Sequence, residues 1–321
     1  MNASGNFWIM ASILVVPLAA CADTPSPAGS FPIGQSATLD VGPTLPFTLP
    51  SAAIAKAKTG DTIRIAPGTY ADCAVVRQNG LTIQGTGPGV ILGDKSCAGK
   101  AILVVSGDNV TVRDLTLQHA RVPDRNGAGI RAEGGNLTVE RVNFLDNENG
   151  ILSANNPRAA IRVSDSTFTG NGVCAPACAH GIYIGEFGSL RVERSRFRDT
   201  RQGHHIKSRA HRTEVIDCDI ADGPEGNSSY LIDIPNGGSV LVAGNRLEKG
   251  PRSDNPGYAI MIGAEGVTRP TPDLVFRNNV LVNDTGRMTV FVENRTGTNA
   301  DLIGNRFTGA VTPLTGPGTS R

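Results

Sequence analysis

Nine-residue stretches in which apolar and polar side chains alternate recur along this chain. They are NVTVRDLTL (109–117), NLTVERVNF (136–144), AIRVSDSTF (160–168), SLRVERSRF (189–197), RTEVIDCDI (212–220), SVLVAGNRL (239–247), DLVFRNNVL (273–281) and NADLIGNRF (299–307). Successive units end 27, 24, 29, 23, 27, 34 and 26 residues apart. Alternation with period two predicts strands, and no helical spacing competes inside the units. A repeat of this length predicts a solenoid in which each turn of chain stacks on the one before. The seventh position of the unit holds Leu115, Val142, Ser166, Ser195, Cys218, Asn245, Asn279 and Asn305. Such a column would point inward at a bend, where small polar side chains hydrogen-bond their own turn and the turn above. Cys218 therefore reads as a buried ladder residue and not as a nucleophile.

A second short strand precedes each unit: GIRAE (129–133), GILSA (150–154), GIYIG (181–185), HIKSR (205–209), LIDIP (231–235), AIMIG (259–263) and TVFVE (289–293). Aligning them stacks Ile130, Ile151, Ile182, Ile206, Ile232, Ile260 and Val290 on the inside. One coil cannot bury an apolar face alone, whereas stacked coils share one core. The N-terminal part adds SAAIAKAKTGD (51–61) and TIRIAPGTY (62–70). Together these features resemble the right-handed parallel β-helix proteins of the pectin-lyase-like superfamily, over about residues 46–310. The resemblance implies an all-β, single-stranded right-handed parallel β-helix whose open first coil is covered by a short N-terminal capping helix. It says little about activity, because this fold hosts lyases, hydrolases, epimerases, esterases and passive binding surfaces.

Outside the repeats the chain changes character. Phe7 to Ala20 is an apolar stretch ending in Leu18-Ala19-Ala20-Cys21, similar to a bacterial lipobox in which the cysteine is lipidated. No Lys or Arg precedes it. Residues 1–21 are read as a lipoprotein-type signal, with an ordinary secretory signal as the alternative. Residues 22–45, rich in Pro, Ser, Thr and Gly, read as a flexible tether, 46–312 as the β-helix domain and 313–321 as a frayed tail. Export to the periplasm, or to the outer membrane and cell surface on a lipid anchor, is the expectation. Exported chains tolerate disulfides, so Cys73 with Cys97 and Cys174 with Cys178 are candidate pairs. Cys-x3-Cys followed by His180 offers a weaker metal-ligand reading, and no metal or other cofactor is assigned. With 30 basic and 29 acidic residues, global charge gives no argument for nucleic-acid binding. Oligomerisation has no sequence signal, and a monomer is expected.

The candidate chemistry lies in His204-His-Ile-Lys-Ser-Arg-Ala-His211. Strand alternation places His205, Lys207 and Arg209 on one outer face. Adjacent coils lie ~4.8 Å apart, so Tyr183 and Asp233 become the vertical neighbours of Lys207. His180, His204, Tyr230 and Tyr258 fall at the starts of the same strands, His211 follows them, and Arg131 lies in the same outward column three coils before Lys207. Four of the five histidines sit within about one coil, which a purely structural surface would not require. These residues suit proton abstraction beside a carboxylate. A cation neutralises the C6 carboxylate of a hexuronate, and a base removes the C5 proton. Lys207, whose neutral form the neighbouring Arg209 and a protonated histidine would favour, or His205 is the candidate base, Tyr183 the proton donor to the leaving oxygen, and Arg209 the carboxylate partner. His180, His204, His211, Asp233, Tyr230, Tyr258 and Arg131 are candidate substrate contacts. Elimination would make this a polysaccharide lyase on an acidic polysaccharide, and reprotonation from the opposite face a C5 epimerase. The alternative is a non-catalytic glycan-binding or surface-structural β-helix. Hydrolysis fits less well, because Asp233 lacks an obvious second carboxylate in its column. No outward cluster of carboxylates suggests a Ca²⁺-dependent lyase.

Overall fold

The computed structural model describes residues 36–174 and 177–321. The predicted signal with Cys21, and the tether as far as residue 35, lie outside the described residues. The rest is a right-handed parallel β-helix. Its strands form a ten-stranded and a twenty-stranded sheet, and every paired strand runs parallel to its neighbour.

The nine-residue units build the larger sheet and fold at their sixth position. Asp114, Arg141, Asp165, Arg194, Asp217, Gly244, Asn278 and Gly304 all adopt φ between 46° and 69° there. A left-handed residue costs an L side chain roughly 1–2 kcal/mol, and only two of the eight are glycine. Bonds between coils offset part of that cost. Arg141 forks onto Asp114 at 2.6 and 3.0 Å, and Arg194 onto Asp165 at 2.9 and 3.0 Å.

The seventh-position column points inward as expected. Asn245 Oδ1 accepts from Cys218 N at 2.8 Å, Asn279 Oδ1 from Asn245 N at 3.0 Å, and Asn305 Oδ1 from Asn279 N at 3.0 Å. Cys218 is buried and unpaired, and burial pushes its thiol up to about 12. Beside the ladder, Phe144, Phe168 and Phe197 stack at 4.5 Å centroid spacing, close to the rung repeat.

The short strands build the ten-stranded sheet, called here the site sheet. They run in sequence order from Ala74–Val76 to Val311–Thr315. Ile130, Ile151, Ile182, Ile206, Ile232 and Ile260 pair in one register. The last expected member is corrected: Val292, not Val290, lies opposite Ile260, and Phe291 turns inward against Phe276 and Phe307.

The domain limits are also corrected at both ends. Thr38–Val41 already pairs with Thr62–Ile65, so part of the expected tether is solenoid. Val311–Thr315 and Gly318–Ser320 pair with Thr289–Asn294 and Ala300–Ile303, so the expected tail forms a final rung. Exposed backbone groups of the last coil recruit these residues whatever their side chains. The helix Pro50–Lys56 covers the first coil with Ala53 and Ile54 buried, and Gln78 Nε2 donates to the carbonyls of Ile54 and Ala57. Both expected disulfides, Cys73–Cys97 and Cys174–Cys178, are formed. With its sulfurs bonded to each other, the second pair leaves no thiolates for the metal reading.

Candidate functional site

Parallel pairing in register makes vertical neighbours of Arg131, Leu152, Tyr183, Lys207, Asp233 and Met261. The middle of this column carries the charge. Lys207 Nζ donates to Asp233 Oδ2 at 2.8 Å and to Glu265 Oε1 at 2.7 Å. Arg209 runs back along the same face. Its Nε donates to the Tyr183 phenol oxygen at 3.1 Å, one Nη to Glu265 Oε2 at 2.6 Å and the other to Asn236 Oδ1. Tyr183, Lys207, Arg209 and Asp233 are thus brought together as the strand alignment required. The Tyr183 ring lies under both cations, 5.9 Å from Lys207 Nζ and 5.7 Å from the Arg209 guanidinium carbon.

His205 is corrected. It is fully buried and points into the solenoid, with Nδ1 2.7 Å from Thr200 Oγ1 and Nε2 3.0 Å from Asp222 Oδ1. Its column is the corner where the chain enters the site sheet, and the strand's alternation begins only at Ile206. A Cβ on Gly129 or Gly150, in the same column, would meet the Phe144 or Phe168 ring at 2.8 or 2.7 Å. His205 occupies the equivalent place beside Phe197. It cannot act as a base on a polysaccharide outside the solenoid. Asp222 also accepts from Ser228 Oγ at 2.5 Å and Gly250 N at 3.0 Å, and Lys249 lies fully buried 3.9 Å away.

His180, His204 and Tyr230 form a ladder beside the charged column. Ring centroids lie 4.8 Å apart for His180–His204 and 4.9 Å for His204–Tyr230, with Tyr258 edge-on at 6.5 Å. Each imidazole Nδ1 accepts a backbone N–H from the next rung, His180 from His204 N at 3.0 Å and His204 from Tyr230 N at 3.1 Å. The proton of a neutral His204 is then on Nε2, 3.5 Å from Asp233 Oδ2. Burial, with Lys207 and Arg209 adding to it, pushes His180 down to about 3. Burial and the neighbouring His180 hold His204 well below its ordinary value. Both are neutral in the physiological range. The ladder's ring faces are occupied by one another, so these residues buttress the site.

The expected neutral Lys207 is corrected as well. Burial opposes its charge, but Asp233 and Glu265 outweigh burial and hold the ammonium above its ordinary pKa. Burial pushes Asp233 up despite Lys207, and Asp233 Oδ1 is buried without a hydrogen-bond partner. Glu265 is held below the carboxylate range because the bonds from Lys207 and Arg209 exceed the effect of its partial burial. The cations expected to neutralise Lys207 are therefore outmatched by carboxylates.

Two candidates lie off the centre. Arg131 is three rungs from Lys207, roughly 14 Å at the rung repeat, and pairs with Glu133 at 3.3 Å. His211 pairs with Glu186 at 3.3 Å across the turn leaving the sheet. Two residues went unread: Glu265 and Asn236. Glu265 belongs to a connection, residues 263–273, that folds back over the site sheet. Its only trace in the sequence is the 34-residue spacing, the longest of the set.

The geometry defines a class: a right-handed parallel β-helix with a Tyr–Lys–Arg–carboxylate cluster at mid-solenoid. A family described as a right-handed β-helix region matches residues 175–316. The chain shares its fold with an alginate lyase from Paenibacillus sp. str. FPU-7 at 19% identity and a TM-score of 0.66, over 86% of this chain and 99% of that one. It also matches pectate lyase Pel9A at 13% identity and TM-score 0.61, over 89% and 79%, and ORF18 of Geobacillus virus E2 at 14% and 0.54, over 83% and 55%. No curated protein sequence matches the chain.

Proposed function

We propose that this chain acts on an acidic, uronate-containing polysaccharide by proton abstraction beside a carboxylate, as a lyase or a C5-epimerase-like enzyme. One observation carries the reading: Lys207 and Arg209 hold a carboxylate between them at 2.7 and 2.6 Å, and Arg209 also bonds the Tyr183 oxygen. A uronate carboxylate in that position has its charge neutralised by two cations, which is what makes the C5 proton removable. The shared architecture with alginate and pectate lyases is consistent with it.

The roles differ from a lysine-base scheme. Lys207, held as an ammonium by Asp233, serves as an electrostatic partner. Tyr183 is the group free to handle the proton. In elimination, the deprotonated phenol takes the C5 proton, and the C5–H pair forms the C4=C5 bond. The C4–O bond breaks, and the departing oxygen recovers the proton from Tyr183. In epimerisation a solvent water on the other face protonates the carbanion, and the hydroxide formed is neutralised by the proton that Tyr183 gives up to solvent. Export, with anchoring through Cys21, belongs to the same proposal, since such polymers are met outside the cytoplasm.

The test is incubation of the protein with alginate, pectate and glycosaminoglycans, following the absorbance of unsaturated uronate and the exchange of the C5 hydrogen. We expect one polymer to respond, and Tyr183→Phe to lower the rate at least ~100-fold, the scale of a lost acid–base group. Absence of both signals on every polymer overturns catalysis and leaves the binding reading, which the complete pairing of Lys207 and Arg209 with protein groups favours.

A further inference from the structure

We propose that Glu265 is an internal stand-in for the ligand's carboxylate, so that the site binds a uronate only by exchange with it. The inference deepens the carboxylate-site reading above, on which it rests. The Glu265 carboxylate bridges Lys207 and Arg209 through one oxygen each, at 2.7 and 2.6 Å. This is the arrangement in which two cations hold any carboxylate in common. The place a ligand anion needs is therefore filled by the chain itself.

The occupant is unlike the other groups of the cluster. Lys207 and Asp233 are 8% and 2% exposed, and they pair with each other inside the column. The Glu265 side chain is 44% exposed. It comes from the tip of the 263–273 connection, between Gly263 and Gly266, both at positive φ (80° and 91°). Residues 264–268 are all exposed. The base of the connection is fixed separately: Glu265 N donates to Pro235 O at 3.0 Å, Thr268 N to Asn236 O at 3.1 Å, and Arg269 Nε to Arg209 O at 2.6 Å. The backbone can stay in place while the Glu265 side chain swings into water. A half-exposed carboxylate loses little on returning to solvent, whereas Asp233 could not follow. Exchange leaves Lys207 paired with Asp233 and Arg209 with Tyr183, so the cations stay aimed at the vacated position.

The device also sets specificity. A neutral sugar in place of Glu265 would leave Asp233 as the one carboxylate beside two cations, whereas a uronate restores the second. Apparent affinity is reduced by the fraction of molecules in which Glu265 is in place.

The experiment is titration calorimetry of the full chain and its Glu265→Gln and Glu265→Ala variants with trimannuronate, trigalacturonate and neutral cellotriose, with thermal melting to verify that each variant folds. At least one trimer of uronate should bind both variants roughly tenfold more tightly than the parent, the size of a removed competing state, with no gain for cellotriose. Equal or weaker uronate binding by the variants, an equal gain for cellotriose, or no uronate binding by any of the three proteins overturns the proposal. The readout is independent of turnover. Tighter binding without elimination retains the exchange and removes the enzyme reading; elimination by a parent whose variants bind no better does the reverse.

Discussion

His180 and His204 each commit Nδ1 to a backbone N–H of the following rung, which leaves one tautomer for the neutral ring. Burial lowers both pKa values, that of His180 to about 3, against roughly 6.5 in an unfolded chain. Between about pH 6.5 and 3 the unfolded chain binds protons that the folded chain refuses, so stability falls as the pH is lowered through that window. His180 contributes about 1.4 kcal/mol per pH unit while inside it, and His204 adds in the same direction. Urea titrations between pH 8 and 4 should show this slope, and His180→Gln should make it shallower. A ¹⁵N spectrum at pH 5 with imidazolium signals for both residues would contradict the assignment. The same scale holds the two errors of residue reading. Lys207 was expected to be neutral because cations neighbour it in sequence, yet Asp233 on the next rung, joined by Glu265 from 58 residues away, reverses the balance. His205 was expected outside because strand alternation was extended one residue too far, across a corner.

At the scale of elements, the repeat does its work through columns. In-register parallel pairing converts an alignment of short strands directly into vertical neighbours, which is why Tyr183, Lys207 and Asp233 could be grouped from letters alone. The alignment failed at 289–293, where the strand Thr289–Asn294 runs longer and Val292 takes the isoleucine column. The inner columns are where stability should concentrate. Phe168 is fully buried between Phe144 and Phe197, so Phe168→Ala should cost about 3–5 kcal/mol. Asn279→Ala removes an acceptor used by Asn245 and a donor to Val242 O, and should cost about 1–3 kcal/mol. Denaturant midpoints at an unchanged m-value check both; a loss below ~0.5 kcal/mol for Phe168→Ala would mean that the stack adds nothing beyond ordinary surface substitution.

For the whole molecule, each rung rests on its neighbours, and the ends need special closure. The N-terminal end has the helix Pro50–Lys56 and the Cys73–Cys97 bridge close to it, joining residues 24 apart. Replacing both cysteines with serine should cost about 3 kcal/mol by loop entropy, read as a lowered melting temperature. An unchanged melting temperature would show that the first rungs unfold apart from the rest. The periodic spacing, the inward Ile, Phe and Asn columns and the grouping of Tyr183 with Lys207 were determined by the sequence itself, because in a solenoid neighbours in space are neighbours at a fixed sequence period. Three features were decided only in the tertiary structure: the Glu265 bridge, the inward His205 and the charge on Lys207. Each depends on where a connection or a corner directs a side chain, and a connection lies outside the repeat that makes the rest of the chain readable.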